Sequence, residues 1–415
     1  MATRNLKKQL SLRGDKVIWI IVLLMALISI VAVYSSSYAL AYRGGVSTFH
    51  ILIGQMRSIL ISWAFLFVFY KAPLSLYRKW ALPALGVIGL MLAVVLIQYY
   101  LLGTTKHLKA ARWLDFGFGT IQPAEFAKIA VIIYLAKILE VKKFNDFKTF
   151  ICWILIPVGG IAGMTLLGSF SATVIICLTC FVILVCSDIP RKYIYRTLGL
   201  VALAGSVAFG CNLAFGWFER LDTVTNRVER FFMSEEERQM LSLEEQQKIA
   251  DKEYQSKEAE QAIQLGGLKG LGPGNSIKRN TLPNPYDDYI YSIIVEEWGL
   301  IVGSLVLFLY IWFLFRCVII AQACKKPFAA LSVIGLGCLI TFQALIHIAV
   351  NIGAIPETGQ TLPMISHGGT AYILMSAALG IILSINRTIE ISKENEEKAK
   401  KALLWNNTET PEKSS

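Results

Sequence analysis

Apolar positions in this chain neither alternate nor recur as single helical stripes. They gather into blocks near 17–33, 51–70, 81–102, 122–139, 150–167, 170–187, 194–216, 289–315, 328–350 and 365–386. About twenty apolar residues of helix cross the roughly 30 Å of a bilayer's hydrocarbon core. The pattern therefore predicts an all-α polytopic membrane protein with about ten transmembrane helices and both termini on one side. One long polar interruption, 217–288, predicts a single large extracytoplasmic loop between helices seven and eight. The chain then divides into a cytoplasmic segment 1–16, a membrane domain 17–386 and a tail 387–415, expected as a short cytoplasmic helix that fades into disorder. The Ala-Leu-Ala triplet at 39–41 resembles a leader cleavage site, but the long apolar region and the spans that follow favour an uncleaved first helix.

Composition agrees: 55% of residues are hydrophobic and 17% charged, which excludes an ordinary soluble domain. The net charge of +11 would suit a nucleic-acid partner, but its placement says otherwise. Lys71, Arg78, Lys79, Lys142, Lys143, Lys148, Arg191, Lys192, Arg196, Arg316, Lys325 and Lys326 sit in alternate short loops. By the positive-inside rule those loops are cytoplasmic, and no nucleic acid is required. One outer loop breaks the rule: GTTKHLKAARWLDFGFGTI (103–121) carries Lys106, Lys109 and Arg112. Cations on the outer face ask for an anionic partner, either a ligand or lipid headgroups. Cys177 and Cys180 form a CxxC inside an apolar block with no histidine beside them, so they read as small buried hydrophobes.

Three stretches carry candidate chemistry. IQPAEFAKIA places Glu125 and Lys128 at i, i+3, where they can pair at the outer end of the fourth span. Ionisable groups at such a depth mark function, or else a purely structural pair. NIGAIPETGQTLPMISHGGTAYI (351–373) holds two prolines and four glycines, so it predicts an irregular outer loop sheltered by protein. LPNPYDDYIYSIIVEEWG (282–299) holds four carboxylates. On a continuous helix, Asp288 shares a face with Ser292, Val295 and Gly299, whereas Glu296 lies deeper and Glu297 points the other way. Asp287 and Asp288 would then sit at the mouth, one of them a candidate helix cap and one a base with a raised pKa. Glu296 and Glu297 would be buried and need partners from other spans. In the long loop, Ser234 with Glu237 and Ser242 with Glu245 predict capping boxes opening short helices. GGLKGLGPGN (266–275) is too rich in glycine to stay helical and matches no nucleotide-binding loop.

Together ARWLDFGFGTIQPAEFAK, the run from YQSKEAEQ through GPGNS to LPNPYDDYIYSIIVEEWG, and NIGAIPETGQTLPMISHGGT resemble the three signature regions of the SEDS family. These are the polytopic peptidoglycan polymerases of bacterial division and elongation, FtsW and RodA. The glycine-rich GPGNS and the length of the loop look more like the FtsW branch. Departures from the family pattern are Ala124, Glu258, His367 and Thr361. The resemblance implies that Asp288 is the essential aspartate. It implies substrate contacts at Arg112, Glu125, Lys128, Lys106, Lys109, Ser276 and Ser366. The implied reaction is an inverting transfer between lipid II molecules, linked to undecaprenyl diphosphate, at the outer face of the bacterial cytoplasmic membrane. Asp288 would act as general base and cations would stabilise the diphosphate; a divalent cation, Mg or Mn, could share that role, and no protein metal site is expected. The implied partner is a class B penicillin-binding protein with other divisome proteins at the septum, since the chain has no S-x-x-K transpeptidase domain of its own. A lipid II flippase, an elongation-type polymerase and a scaffold for the transpeptidase are the alternative readings.

Overall fold

The computed structural model describes residues 13–37, 47–103, 112–115, 120–215, 219–283, 285–367 and 369–408. Each predicted apolar block holds a helix: α1 (Lys16–Ser36), α2 (Thr48–Lys71), α3 (Leu74–Leu96, continued by a π turn Ile97–Leu101), α4 (Pro123–Val141), α5 (Phe147–Gly168, with a π turn at Ile151–Leu155), α6 (Phe170–Val185), α7 (Arg191–Phe215), and then α11 (Ile290–Gln322), α12 (Pro327–Asn351) and α13 (Gly369–Thr408). Among the described residues, seven of these helices are long and apolar enough to cross a membrane: α1, α2, α3, α5, α11, α12 and α13. Helix α6 is a shorter apolar helix. Helix α4 carries Glu125, Lys128, Lys137 and Glu140 along its length. Large apolar side chains such as Leu27, Leu60, Leu90 and Phe308 face outward, while polar groups such as Gln55, Lys128 and Asn351 are buried inside. That inversion suits a body solvated by lipid.

The start of α1 and the end of α11 are held together by charge. Asp15 caps α1, accepting from Val17 N at 2.9 Å and Ile18 N at 3.1 Å, and pairs through its other oxygen with Arg316 near the end of α11. The tail is not a separate short helix: α13 runs unbroken from Gly369 to Thr408, and its Glu394 meets Arg13 at 3.2 Å.

Three helices occupy the long loop: α8 (Glu219–Phe232), α9 (Glu235–Met240) and α10 (Leu243–Gly266). Both predicted capping boxes form, with Glu237 N donating to Ser234 Oγ at 3.2 Å and Glu245 N to Ser242 Oγ at 3.4 Å. The second opens a 24-residue helix and not a short one.

The glycine-rich segment after α10 explains how the loop is held. Helix α11 is broken at Gly299, whose φ of 77° lies in the left-handed region. The freed backbone groups pair with the loop: Leu271 N donates to Glu296 O and Gly272 N to Glu297 O, both at 2.9 Å, while Leu300 N donates to Gly267 O at 2.9 Å. Only glycine permits this contact. A Cβ on Gly270 would lie 2.2 Å from Glu297 O, and one on Gly299 would lie 2.2 Å from Leu268 O. Irregular backbone at this depth is tolerated because protein, not lipid, surrounds it.

Glu296 and Glu297 are fully buried at this junction. Glu296 accepts from Ile277 N at 2.8 Å, Lys278 N at 3.1 Å and Ser276 Oγ. Its partners come from the loop and not from other spans, because the loop folds back onto its own helix. Glu297 is bound by Ser35 Oγ of α1 and lies 3.9 Å from Arg279, so here a neighbouring span does contribute.

Candidate active site

The aspartates do not sit on a helix. Residues 285–289 form turns, α11 starts at Ile290, and its N-cap is Tyr289, which makes no side-chain capping bond. Neither Asp287 nor Asp288 is therefore the cap, and the helical phase drawn through Asp288 does not apply. Proline at 285 and the hydrogen bonds below hold this turn out of the helix. Asp287 O accepts from Ser366 Oγ at 2.8 Å, Asp288 O from Asn351 Nδ2 at 3.0 Å, and Tyr286 O from His367 N at 2.9 Å. Asn351 Oδ1 also receives Ser292 N at 3.0 Å and Ser292 Oγ at 2.8 Å. The turn is thus clamped between α12 and the loop at 352–367, as expected an irregular segment whose Leu362, Met364, Ile365 and Ser366 are buried in protein.

The two carboxyls, both outside the spanning helices, differ in surroundings. Burial pushes Asp287 up to about 7, with the Asp288 charge adding to it, and its Oδ1 has no hydrogen-bond partner. Burial also raises Asp288, but the Arg112 guanidinium works against that rise and Glu357 works with it. The pair therefore titrates apart: the first proton to leave is that of Asp288, and Asp287 stays protonated longer. A carboxylate so placed, facing a guanidinium, can take a proton from a bound hydroxyl.

Arg112 follows α3 and precedes a two-stranded hairpin, Leu114–Asp115 with Thr120–Ile121. Its Nε donates to Gly168 O at 2.9 Å, at the end of α5. With Arg227 and Glu357 it rims a cavity of about 320 Å³ whose walls are Phe170, Val174 and Leu178 of α6 and Ile346 of α12. Cations at the rim and an apolar wall that descends along two helices suit an amphiphile with an anionic head.

Beneath the rim lies a buried polar chain. Lys128 Nζ pairs with Glu125 at 2.7 Å and donates to Gln343 Oε1 at 2.7 Å and Gln360 Oε1 at 3.5 Å. Gln360 Nε2 donates to Ser171 Oγ at 3.0 Å, and Ser171, which also lines the cavity, donates to Thr358 O at 3.0 Å. Lys128 and Glu125 thus support the cavity floor from inside the bundle. Ser366 holds the aspartate turn, while Ser276 is committed to Glu296 and Arg279 N and does not line the cavity. Lys106 and Lys109 lie outside the described residues.

Sequence reasoning missed Arg227, Glu357 and Asn351. Arg227 sits in a charged run read as a solvated face; the signal was its place in a short amphipathic helix soon after the apolar helix α7. Among the departures from the family pattern, Glu258 gains a partner, Lys278 Nζ at 3.0 Å. Among the described residues, no three His, Cys, Asp or Glu side chains converge.

The chain is similar to known proteins in sequence and in fold. The chain is 31% identical over 405 residues to the probable peptidoglycan glycosyltransferase FtsW of Bacillus subtilis, covering 95% of both chains. It is 28% identical over 389 residues to stage V sporulation protein E of the same organism, covering 90% of this chain and 97% of the other. In fold it is similar to a chain of a peptidoglycan synthase complex described as coordinating polymerization and crosslinking, with a TM-score of 0.69 at 22% identity over 91% of this chain and 99% of that one. It is also similar to the rod shape determining protein RodA of Thermus thermophilus, with a TM-score of 0.62 at 21% identity over 90% of this chain and 97% of that one. The family model for cell cycle proteins of the FtsW, RodA and SpoVE type matches residues 15–391, and the chain belongs to that family.

Proposed function

We propose that this protein is a peptidoglycan glycosyltransferase that polymerises lipid II into glycan strands at the outer face of the cytoplasmic membrane. The observation that carries the reading is the surroundings of Asp288: of the two adjacent aspartates, it is the one in the field of Arg112 and Glu357, two residues that line an amphiphile-sized cavity. Asp288 removes the proton from the acceptor sugar's 4-hydroxyl as that oxygen bonds to the donor's anomeric carbon. The bond from that carbon to the diphosphate breaks on the opposite face, and Arg112 stabilises the charge that develops on the departing diphosphate. One displacement inverts the α-linked donor to a β-linked product without a covalent enzyme intermediate. The α6 and α12 walls take the first units of the polyprenyl chain. No step is assigned to a metal.

Ten spans, both termini in the cytoplasm, a partner transpeptidase of the class B penicillin-binding type and work at the septum complete the reading. They rest on the loop charges, on relatives named FtsW and on the likeness to a synthase complex. The test is Asp288→Asn in purified protein supplied with lipid II and its transpeptidase partner. Glycan polymer should disappear while folding and partner binding persist; polymerisation at the wild-type rate would remove Asp288 as the base.

A further inference from the structure

The cavity at Arg112 has a neighbour. A second recess of about 190 Å³ is lined by Glu253, Ser256, Lys257 and Glu260 of α10, together with Arg230 and Phe231 of α8. Arg227, Pro356 and Glu357 line both. Apolar side chains predominate around the first cavity and charged ones around the second, beside Phe231 and Pro356, so Arg227 stands where a mainly apolar compartment meets a more charged one. In a lipid-linked sugar the diphosphate is that same junction, with the prenyl chain on one side and the sugar and its peptide on the other.

Arg227 is also held at the right level. Helix α7 ends at Phe215 and α8 begins four residues later at Glu219, so in the proposed ten-span topology α8 starts at the outer bilayer surface. Phe232 of α8 is 76% exposed and Val228 and Phe231 are about 40% exposed, while Arg230 and Glu229 supply polar positions. A helix of this kind lies in the plane of the headgroups, which is where a membrane-anchored diphosphate rests. Arg227 is anchored by Nη1 donating to Glu357 O at 2.7 Å, and Glu357 Oε1 accepts from Tyr289 Oη at 3.0 Å, the residue after Asp288. Both guanidinium groups of the cavity, Arg112 from one outer loop and Arg227 from another, therefore flank the same Glu357 and Asp288 corner.

We infer that Arg227, carried on a helix seated on the outer leaflet, is a second diphosphate-binding residue that faces Arg112 across the mouth of the cavity. This rests on the glycosyltransferase reading for the identity of the ligand, and it adds a residue that reading does not need. Planar guanidinium donors bind two phosphate oxygens at once, so two arginines can hold both phosphates of one diphosphate. The α10 recess then receives the polar head.

The test is binding, measured with the full chain in nanodiscs and two probes: undecaprenyl diphosphate, and undecaprenol, which has the chain without the charge. Arg227→Ala should weaken diphosphate binding about 10- to 100-fold, as expected for losing a charged hydrogen-bonding group, and leave undecaprenol binding unchanged. Arg227→Lys should recover part of the loss, and in polymerisation the Ala variant should raise KM far more than it lowers kcat. Unchanged diphosphate affinity would overturn the inference, and so would an equal loss of both probes, which would make Arg227 a structural prop. Because binding needs no base, an Asp288→Asn variant that still polymerised would sink the base assignment and leave this result standing.

Discussion

Replacing Asp287 by asparagine tests the division of labour between the two aspartates. The fold holds the Asp287 carboxyl neutral up to about pH 7, against a usual value of 3.8. Between those values the folded protein binds the proton and the unfolded chain does not. Stability therefore falls as pH rises through that window and stays low above it. The window is roughly three pH units wide, and at about 1.4 kcal/mol per unit the wild type loses about 4 kcal/mol between pH 4 and pH 8 through this one group. Asparagine cannot ionise, so Asp287→Asn escapes that loss. The amide also introduces donors beside the orphaned Oδ1 position, at a cost of about 1–3 kcal/mol if they stay unpaired. That cost is the same at every pH, so the useful quantity is the difference in Tm between variant and wild type, followed from pH 4 to pH 8 in detergent. The difference should move in favour of the variant as pH rises. A difference that stays flat, or that moves toward the wild type, would refute the claim that Asp287 carries the proton. Polymerisation by Asp287→Asn should persist at pH 8, since Asp288 remains to act as base.

Other perturbations probe the supports of the site. Gly299→Ala places a methyl group 2.2 Å from Leu268 O at a left-handed position, so the loop should detach from α11. Hydrogen exchange at the amides of Leu271 and Leu300 should accelerate at least tenfold, and unchanged protection would contradict the close backbone approach. Lys128→Met leaves Glu125 buried without its cation and should destabilise the protein by about 3–5 kcal/mol. Adding Glu125→Gln should restore most of that in thermal unfolding, and a double variant no better than the single would show that the pair is not the unit. Polymerisation should also weaken toward acid pH through a group titrating above the ordinary aspartate value, because Asp288 must be ionised to accept a proton. A rate independent of pH through that range would argue against it.

Much of the architecture could be read from periodicity, because a lipid solvent demands long apolar blocks and tolerates little else. Both capping boxes were equally legible, since they depend on residues three apart. The glycine run at 266–274 was recognised as non-helical, yet its destination was not. A single glycine in an apolar helix is ordinary, and Gly299 breaks α11 only because the loop's backbone offers its amides a second partner. The same tertiary contact decides the fate of Glu296, which found its donors a short way back along its own chain. For the site, motif position located Asp288 and Arg112, but Asn351 and Glu357 come from the 351–373 stretch and Arg227 from α8.

The pairing of 267–272 with 296–301 joins positions only roughly thirty residues apart, a short closure by the measure of folding topology. The turn bearing Asp288 lies within that span, so the chemistry-bearing turn, its glycine clasp and the first half of α11 form one nearly self-closed ring. Such a ring can take shape as soon as the segment clears the membrane, before α12 and α13 arrive. It also sets a rule for insertions. Extra residues between Asn275 and Pro283 would shift the Ser276, Ile277 and Lys278 donors away from buried Glu296. A single added residue between Ile290 and Trp298 would turn Asp288 by about 100° relative to the clasp and carry it away from Arg112.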